Sequence, residues 1–214
     1  MKRKSDPRAT LGAGLAQLGL AASGPLADAL MHFLAELEKW NRAFNLTAVR
    51  KISDMIPRHV LDSLAVLPLM RGRVLDVGSG AGFPAIPLAL ADPALQVTAL
   101  DGNGKKARFL RHIQRSLKLK NLEVAEARVE SFEVSAPFDV ITSRAFASLD
   151  EFLRRTRHLL APGGQWVAMK GKLDAQELAG IPDDIEIREN RRLRVPGLGE
   201  ERHAIIAALK RVTH

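Results

Sequence analysis

Val74-Leu75-Asp76-Val77-Gly78-Ser79-Gly80-Ala81-Gly82-Phe83-Pro84 is the stretch whose residue types and spacing could do chemistry. Three apolar residues and an acid read as a short buried strand, and residues 84–91 read as the start of a helix. Between them, glycines at alternate positions mark a turn where a Cβ would block both the tight bend and the approach of a ligand. Strand, glycine turn and helix N-terminus form a cradle for a nucleotide-like molecule. The spacing narrows which one. A dinucleotide fingerprint is Gly-x-Gly-x-x-Gly, and Phe83 stands where its third glycine belongs. No Gly-Lys-Ser/Thr follows, so this is not a phosphate loop. Asp76 puts negative charge where a pyrophosphate would lie, which favours a ligand with a positive amino group. A second acid, Asp101, ends the next apolar run, about 20 residues on, where it would accept hydrogen bonds from ribose hydroxyls.

The elements that must position these residues follow from periodicity. Residues 1–9 are expected to fray. Leu11, Leu15 and Leu18 have helical spacing, with Gly19 as a stop. Pro25 opens a second helix with Leu26, Leu30, Phe33, Leu34, Leu37 and Trp40 on one face, and residues 41–47 break the period as a loop. Ser53 caps a third helix, with Pro57 in its first turn and Ile56, Val60, Leu64 and Leu67 inward. From Arg73 the chain alternates: strands at 73–77, 95–100, 121–125, 138–142 and 165–169, and a helix at 107–119 with Phe109, Leu110, Ile113 and Leu117 on one face. Ser148 with Glu151 makes a capping box for a helix holding Phe152, Leu153, Leu159 and Leu160, after which Pro162-Gly163-Gly164 turns into the fifth strand. Residues 185–195 and 203–209 flank Pro196-Gly197-Leu198-Gly199 as an antiparallel hairpin. Parallel strand–helix–strand units closed by a hairpin define a mostly parallel, seven-stranded α/β sheet covered by helices. Residues 1–70 lack linker composition and are expected to pack on the sheet of residues 71–214 as one compact unit.

Composition sets bounds. The 214-residue chain has no cysteine, which excludes disulfides, thiolate metal sites and cysteine nucleophiles, and no metal is expected. No apolar run approaches the ~18 residues of a membrane span, and the basic N-terminus lacks a signal-cleavage pattern, so a cytoplasmic protein is expected. A formal net charge of +8 favours a polyanionic partner, nucleic acid before membrane.

Ligands of open α/β sheets bind outside the carboxyl ends of the strands. That rule selects Gly78 to Phe83, Asp101, Arg128-Val129-Glu130, Ser143-Arg144-Ala145-Phe146 and Lys170-Gly171. The stretch from Asp76 to Phe83 resembles the first motif of the S-adenosylmethionine-dependent methyltransferases with a Rossmann-like sheet. More specific are Asn45-Leu46-Thr47-Ala48-Val49, Arg58-His59-Val60-Leu61-Asp62-Ser63, Ser143-Arg144-Ala145-Phe146-Ala147 and Gly199-Glu200-Glu201-Arg202-His203. Together with the glycine motif, and in this order, they resemble the bacterial ribosomal RNA small-subunit methyltransferase G family, also called glucose-inhibited division protein B, from about residue 25 onward. Ala85 departs from the glycine common in that family.

The resemblance implies a class I methyltransferase fold, S-adenosylmethionine as cofactor, and methylation of a guanine N7 in 16S ribosomal RNA, free or in the small ribosomal subunit; a monomer is expected. The resemblance also implies cofactor contacts at Gly78 and Phe83, with Val129 and Glu130 flanking the adenine; Ser79, Gly80, Gly82 and Asp101 join them as candidates from the glycine turn and the acid that follows it. It places Arg144 by the cofactor's methionine end and the incoming base. Lys170, Arg202 and His203 are candidates for RNA contact, Arg202 above all, because a hairpin end can reach over the cofactor mouth. Blander roles stand beside these. Glu130, near Glu123, Glu126 and Glu133, fits a solvated surface acid equally well, Lys170 fits a solvent-facing strand end, and His59 reads as structural. Arg154, Arg155, Arg157, Arg191, Arg192 and Arg194 read individually as solvated faces. Two other functions fit the same chain in part. An NAD(P)-dependent oxidoreductase is opposed by Phe83 and by the lack of any tyrosine; a non-catalytic RNA-binding assembly factor is opposed by the intact glycine turn with Asp101. A methyltransferase of proteins or small molecules is disfavoured by the basic charge.

Overall fold

The computed structural model describes residues 6–144, 146, 148–171, 177 and 180–210. Ala145 and Ala147, within one of the quoted motifs, lie outside them. Seven strands form one sheet: β1 (Arg73–Val77), β2 (Gln96–Leu100), β3 (Leu122–Ala125), β4 (Phe138–Ser143), β5 (Leu160–Lys170), β6 (Ile185–Leu193) and β7 (Arg202–Leu209). Their spatial order is β3-β2-β1-β4-β5-β7-β6. β1 to β5 are parallel, and β7 inserts antiparallel between β5 and β6. Strand order reverses between β1 and β4, so the crevice at their carboxyl ends is the switch point at which such sheets bind ligands.

Alternation along the strands feeds two cores, one on each face. Val74 and Val97 join the helices α1 (Pro7–Gln17), α2 (Pro25–Phe44), α5 (Ala85–Ala91) and α6 (Gly104–Ser116) in one core. Leu75, Ile141 and Trp166 meet α7 (Leu149–Thr156) in the other. The N-terminal helices are therefore part of the main core: α2 buries Leu30, Phe33, Leu34 and Leu37 completely, and the Phe33 ring meets Phe83 at 5.1 Å.

The strands lie within a residue or two of where periodicity puts them, apart from β5, and the helix ends differ for local reasons. α1 begins at Pro7, because the Asp6 side chain accepts from the Arg8 amide at 3.0 Å and caps it. α2 runs on to Phe44, and Asn41 is buried within it, donating to the Thr47 carbonyl at 3.0 Å and accepting from the Thr47 amide at 2.9 Å. The expected third helix is composite: α3 (Ile52–Met55), a π turn (Ile56–Leu61) around Pro57, and α4 (Asp62–Leu64), with no side-chain cap from Ser53. Ser148 does cap α7, accepting from the Glu151 amide at 3.4 Å. Leu159 and Leu160 have left that helix: β5 already begins at Leu160. Phe138 pairs with Leu160 and Val140 with Gln165, so Pro162-Gly163-Gly164 is a bulge within β5 rather than a turn before it.

Candidate functional site

The glycine turn hangs from the end of β2. The Gly78 and Ser79 amides donate to the Leu100 carbonyl at 2.8 and 3.1 Å, and the Gly80 amide donates to Asp101 Oδ2 at 2.9 Å. Asp101 Oδ1 accepts from the Asn103 amide at 2.8 Å, which leads the chain into α6. Asp101 thus orders the turn first, and each of its carboxyl oxygens has a lone pair to spare for a ribose hydroxyl. All three glycines have positive φ. A Cβ on Gly78 would meet nothing within 4 Å, whereas one on Gly82 would overlap Ile86 and press on Leu110 at 3.1 Å. Gly78 faces open space and Gly82 serves helix packing.

Asp76 is fully buried below the turn, not at the ligand's position, because the free amide end of α5 attracts it: Oδ2 accepts from the Ala85 amide at 3.2 Å. Its Oδ1 has no hydrogen-bond partner, and burial pushes its carboxyl up to about 7. Ser79 Oγ donates to the Asp76 carbonyl at 3.0 Å and so ties the turn to β1. Phe83, directly after the turn, packs its ring in the core, 4.7 Å from the His59 ring.

Two cavities open at the carboxyl edge. The first, about 300 Å³, is walled by Val77, Gly78, Asp101, Val129, Glu130 and Phe146. Apolar Val129 and Phe146 suit an adenine face, and Asp101 suits a ribose. Glu130 pairs with Arg155 at the rim. Its carboxyl is held below the usual range by its own backbone amide, and Arg155 adds to this. With open space at Gly78, Asp101 at the wall and apolar Val129 and Phe146 opposite, the residues fit S-adenosylmethionine.

The second cavity, about 320 Å³, is lined by Arg58, His59, Asp62, Arg144, Lys170 and Arg202, among others. Ser143 lines the first and Arg144, the next residue, lines the second, so β4's end separates them. Arg144 Nη1 donates to the Arg58 carbonyl at 3.1 Å and lies 3.0 Å from His59 Nδ1, and its guanidinium sits 5.4 Å from the Phe83 ring centre. Burial, with the Arg144 charge adding to it, pushes His59 down to about 4. The imidazole is therefore neutral; its Nδ1 lies 2.9 Å from the Arg58 carbonyl and 3.0 Å from Arg144 Nη1, and its Nε2 lies 2.9 Å from Thr47 Oγ1. Asp62, which the sequence reading left without a role, lies between Arg144 (3.8 Å) and Arg202 (3.3 Å). Burial raises its carboxyl against the pull of Arg202 and Arg144, and burial lowers Arg144 as well. Desolvation thus outweighs attraction on both partners, as expected for a buried ion pair. The only sequence signal for Asp62 was its place in the Arg58–Ser63 motif.

The candidates for RNA contact divide. Arg202 reaches this cavity and also faces Glu200, which accepts from Arg58 at 2.8 Å. Lys170 lines it too and pairs with Glu177. His203 does not join them. Strand alternation sets it on the face opposite Arg202, where it contacts Asn190 Oδ1 at 2.8 Å. Among the described residues there is no cluster of three or more His, Asp or Glu fit for a metal, and no helix is long and apolar enough to cross a membrane.

Sheet order, glycine turn and the acids ending β1 and β2 define the class: a Rossmann-like, class I S-adenosylmethionine-dependent methyltransferase. Solved structures share the fold. TrmN from Thermus thermophilus is 22% identical, with a TM-score of 0.56 over 79% of this chain and 53% of that one. The glycopeptide N-methyltransferase MtfA is 12% identical, with a TM-score of 0.57 over 70% of this chain and 94% of that one. The family model for rRNA small subunit methyltransferase G matches residues 27–206, and the chain belongs to that family. Ribosomal RNA small subunit methyltransferase G of Laribacter hongkongensis is 53% identical over 94% of this chain and 97% of its own length. That of Chromohalobacter salexigens is 52% identical over 91% and 93%. The chain is thus an S-adenosylmethionine-dependent methyltransferase.

Proposed function

We propose that this protein methylates N7 of a guanine in 16S ribosomal RNA, acting in the cytoplasm as a monomer. The observation that carries the choice of atom is Arg144, held at the end of β4 by His59 and the Arg58 carbonyl. Methylation of cytosine C5 needs a nucleophile on C6, normally a thiolate, and the chain has no cysteine. Enzymes that methylate exocyclic amines commonly carry an Asn/Asp-Pro-Pro-aromatic segment after the fourth strand. Here that place reads Ser143-Arg144-Ala145-Phe146. An arginine suits the O6 and N7 edge of guanine, where both groups are acceptors.

When bound, S-adenosylmethionine supplies a methyl group activated by a sulfonium charge. The roles of the chain's own residues are binding and alignment. Gly78 leaves room beside the turn, Val129 and Phe146 flank the adenine, and Asp101 accepts from the ribose. Arg144 bonds guanine O6 and so aims N7. That nitrogen has an in-plane lone pair, so no proton must leave before attack, and alignment at near-attack distance is the main task. Asp62 offsets the charge of Arg144 and Arg202 beside a base that becomes cationic. Arg202 and Lys170 reach towards phosphate. The test is to transfer labelled methyl to small-subunit RNA lacking its native marks, then digest the RNA to nucleosides. The label is expected in 7-methylguanosine; label in 5-methylcytidine or N6-methyladenosine would overturn the reading.

A further inference from the structure

The charge of this chain is not spread evenly. Residues 102–120 contain seven Lys and Arg and no Asp or Glu, leaving 25 of the 32 cations to face all 24 acids elsewhere. Nearly the whole excess of +8 therefore sits on α6 and the turn after it. Arg111 pairs with Glu126 at 2.8 Å, and Lys106 lies 3.8 Å from Asp101. Among the described residues, no acid lies within ion-pair distance of Lys105, Arg108, Arg115, Lys118 or Lys120, and all five are exposed. Lys105, Arg108 and Arg115 share the outer face of the helix, opposite Phe109, Leu110 and Ile113, which are buried.

A run of charge is ordinarily just a solvated face, but this one works against its own helix. The first turn of α6 carries Lys105 and Lys106 and no acid, so cations stand at the positive end of the helix dipole. Like charges also recur along one face. α7 in the same chain obeys both rules, with Asp150 and Glu151 in its first turn and Arg154 and Arg155 in its last. The arginines of β6 are likewise matched: Arg188 with Glu186, Arg191 with Glu189 and Arg192 with Glu201. α6 departs from this pattern, and its N-terminus borders the cofactor cavity, since Asp101 and Gly102 line that cavity and Asn103 caps the helix.

We propose that the outer face of α6, from Lys105 through Arg108 and Arg115 to Lys118, is a docking surface for the phosphate backbone of the substrate RNA. This rests on the RNA-methylating function proposed above. A helix of 13 residues is about 20 Å long, enough to follow several phosphates from the rim of the cofactor cavity. Contacts of this kind fix register and orientation while base contacts choose the target.

The experiment compares two triple charge reversals. Lys105→Glu/Arg108→Glu/Arg115→Glu alters the unmatched face, and Arg188→Glu/Arg191→Glu/Arg192→Glu alters the matched one by the same net charge. Affinity for unmethylated small-subunit RNA is measured across a salt series, with cofactor affinity and melting temperature alongside. The α6 variant is expected to lose at least tenfold in RNA affinity. Its log–log salt slope should shrink by about 2, at roughly 0.7–0.9 per lost phosphate contact. Cofactor affinity should hold, and melting temperature should hold or rise, because acids then stand at the helix N-terminus. The β6 variant is expected to stay within threefold of wild type. Equal losses in both variants, or wild-type affinity and slope in the α6 variant, would overturn the proposal. Should the α6 reversal misfold, Lys105→Gln/Arg108→Gln/Arg115→Gln is read by the same criteria. A wild-type protein that neither binds nor methylates the RNA refutes the proposed function itself, a result distinct from failure of the α6 variant alone.

Discussion

Asp76 and Asp101 end neighbouring strands, yet they do different work. Asp101 holds the Gly80 and Asn103 amides at the edge of the cofactor cavity. Asp76 lies beneath, with one oxygen on the Ala85 amide and the other unpartnered, and burial lifts its carboxyl to about 7 from the ordinary 3.8. The sign of the consequence follows from proton linkage. Between about pH 4 and 7 the folded protein keeps a proton that the unfolded chain has released, so this group's contribution to stability falls as pH rises through that window. Above about 7 the carboxylate is ionised in both states and the cost is fully present. Asp76→Asn keeps an acceptor for the Ala85 amide and removes the titration. The melting temperature of the variant minus that of wild type is therefore expected to increase from pH 4.5 to 7.5. A difference that stays constant across that range would mean Asp76 is ionised throughout. Sequence identified both acids but not this division of labour, because an acid before a glycine turn looks the same whether it faces a ligand or a helix end.

The π turn Ile56–Leu61 is the element that joins the N-terminal helices to the site. It carries His59 to Arg144 on one side and to Thr47 on the other, and Asn41 in turn holds Thr47. A hydrogen bond to a charged group contributes about 1.5–3 kcal/mol, which corresponds to roughly 10- to 100-fold in rate. If neutral His59 positions Arg144, His59→Leu should lower kcat by that factor and leave cofactor affinity unchanged. His59→Asn, which restores an acceptor near Nδ1, should recover most of the rate. Equal loss in both variants would reduce His59 to a packing residue, the role its sequence context suggests. This stretch was hard to read because its local signals are ambiguous. Pro57 looks like the first turn of a helix and lies instead within a wider turn; Asn41 breaks an apolar period without ending its helix. Pro162-Gly163-Gly164 looks like a turn and is a bulge, since pairing resumes on the same partner strand. β1 posed no such problem: an apolar run stopped by glycines has one reading. The direction of the Phe83 ring was not legible, because a residue beside a ligand turn can point either way, and its packing against Phe33 and His59 sets it.

At the scale of the whole molecule, the N-terminal helices and one face of the sheet share a core. Leu11, Leu15, Leu30, Phe33, Leu34 and Leu37 are fully buried in the cluster that also holds Val74, Val97 and Ile206. Fully burying one such side chain contributes about 1.5–3 kcal/mol, so the four on α2 alone supply roughly 6–12 kcal/mol. That is comparable with the entire stability of a typical domain, about 5–15 kcal/mol. Residues 1–70 are therefore expected not to melt separately from the sheet. Phe33 tests this most sharply, because its ring contacts both Phe83, directly after the glycine turn, and Phe109 on α6, at 5.1 and 6.2 Å. Phe33→Ala should cost about 3–5 kcal/mol. In a chain of this length that lowers the melting temperature by roughly 6–20 °C, at about 2–4 °C per kcal/mol. The decisive reading is coincidence. Helical circular dichroism should fall in the same transition as the fluorescence of Trp166, which is buried in the core on the opposite face of the sheet. Trp40, the other tryptophan, is replaced by Phe so that the signal comes from Trp166 alone. If Phe33→Ala lowers the circular dichroism transition while the Trp166 transition stays at the wild-type temperature, the helical layer is a separate cooperative unit. Arg144 would then be positioned by a layer able to unfold without the sheet.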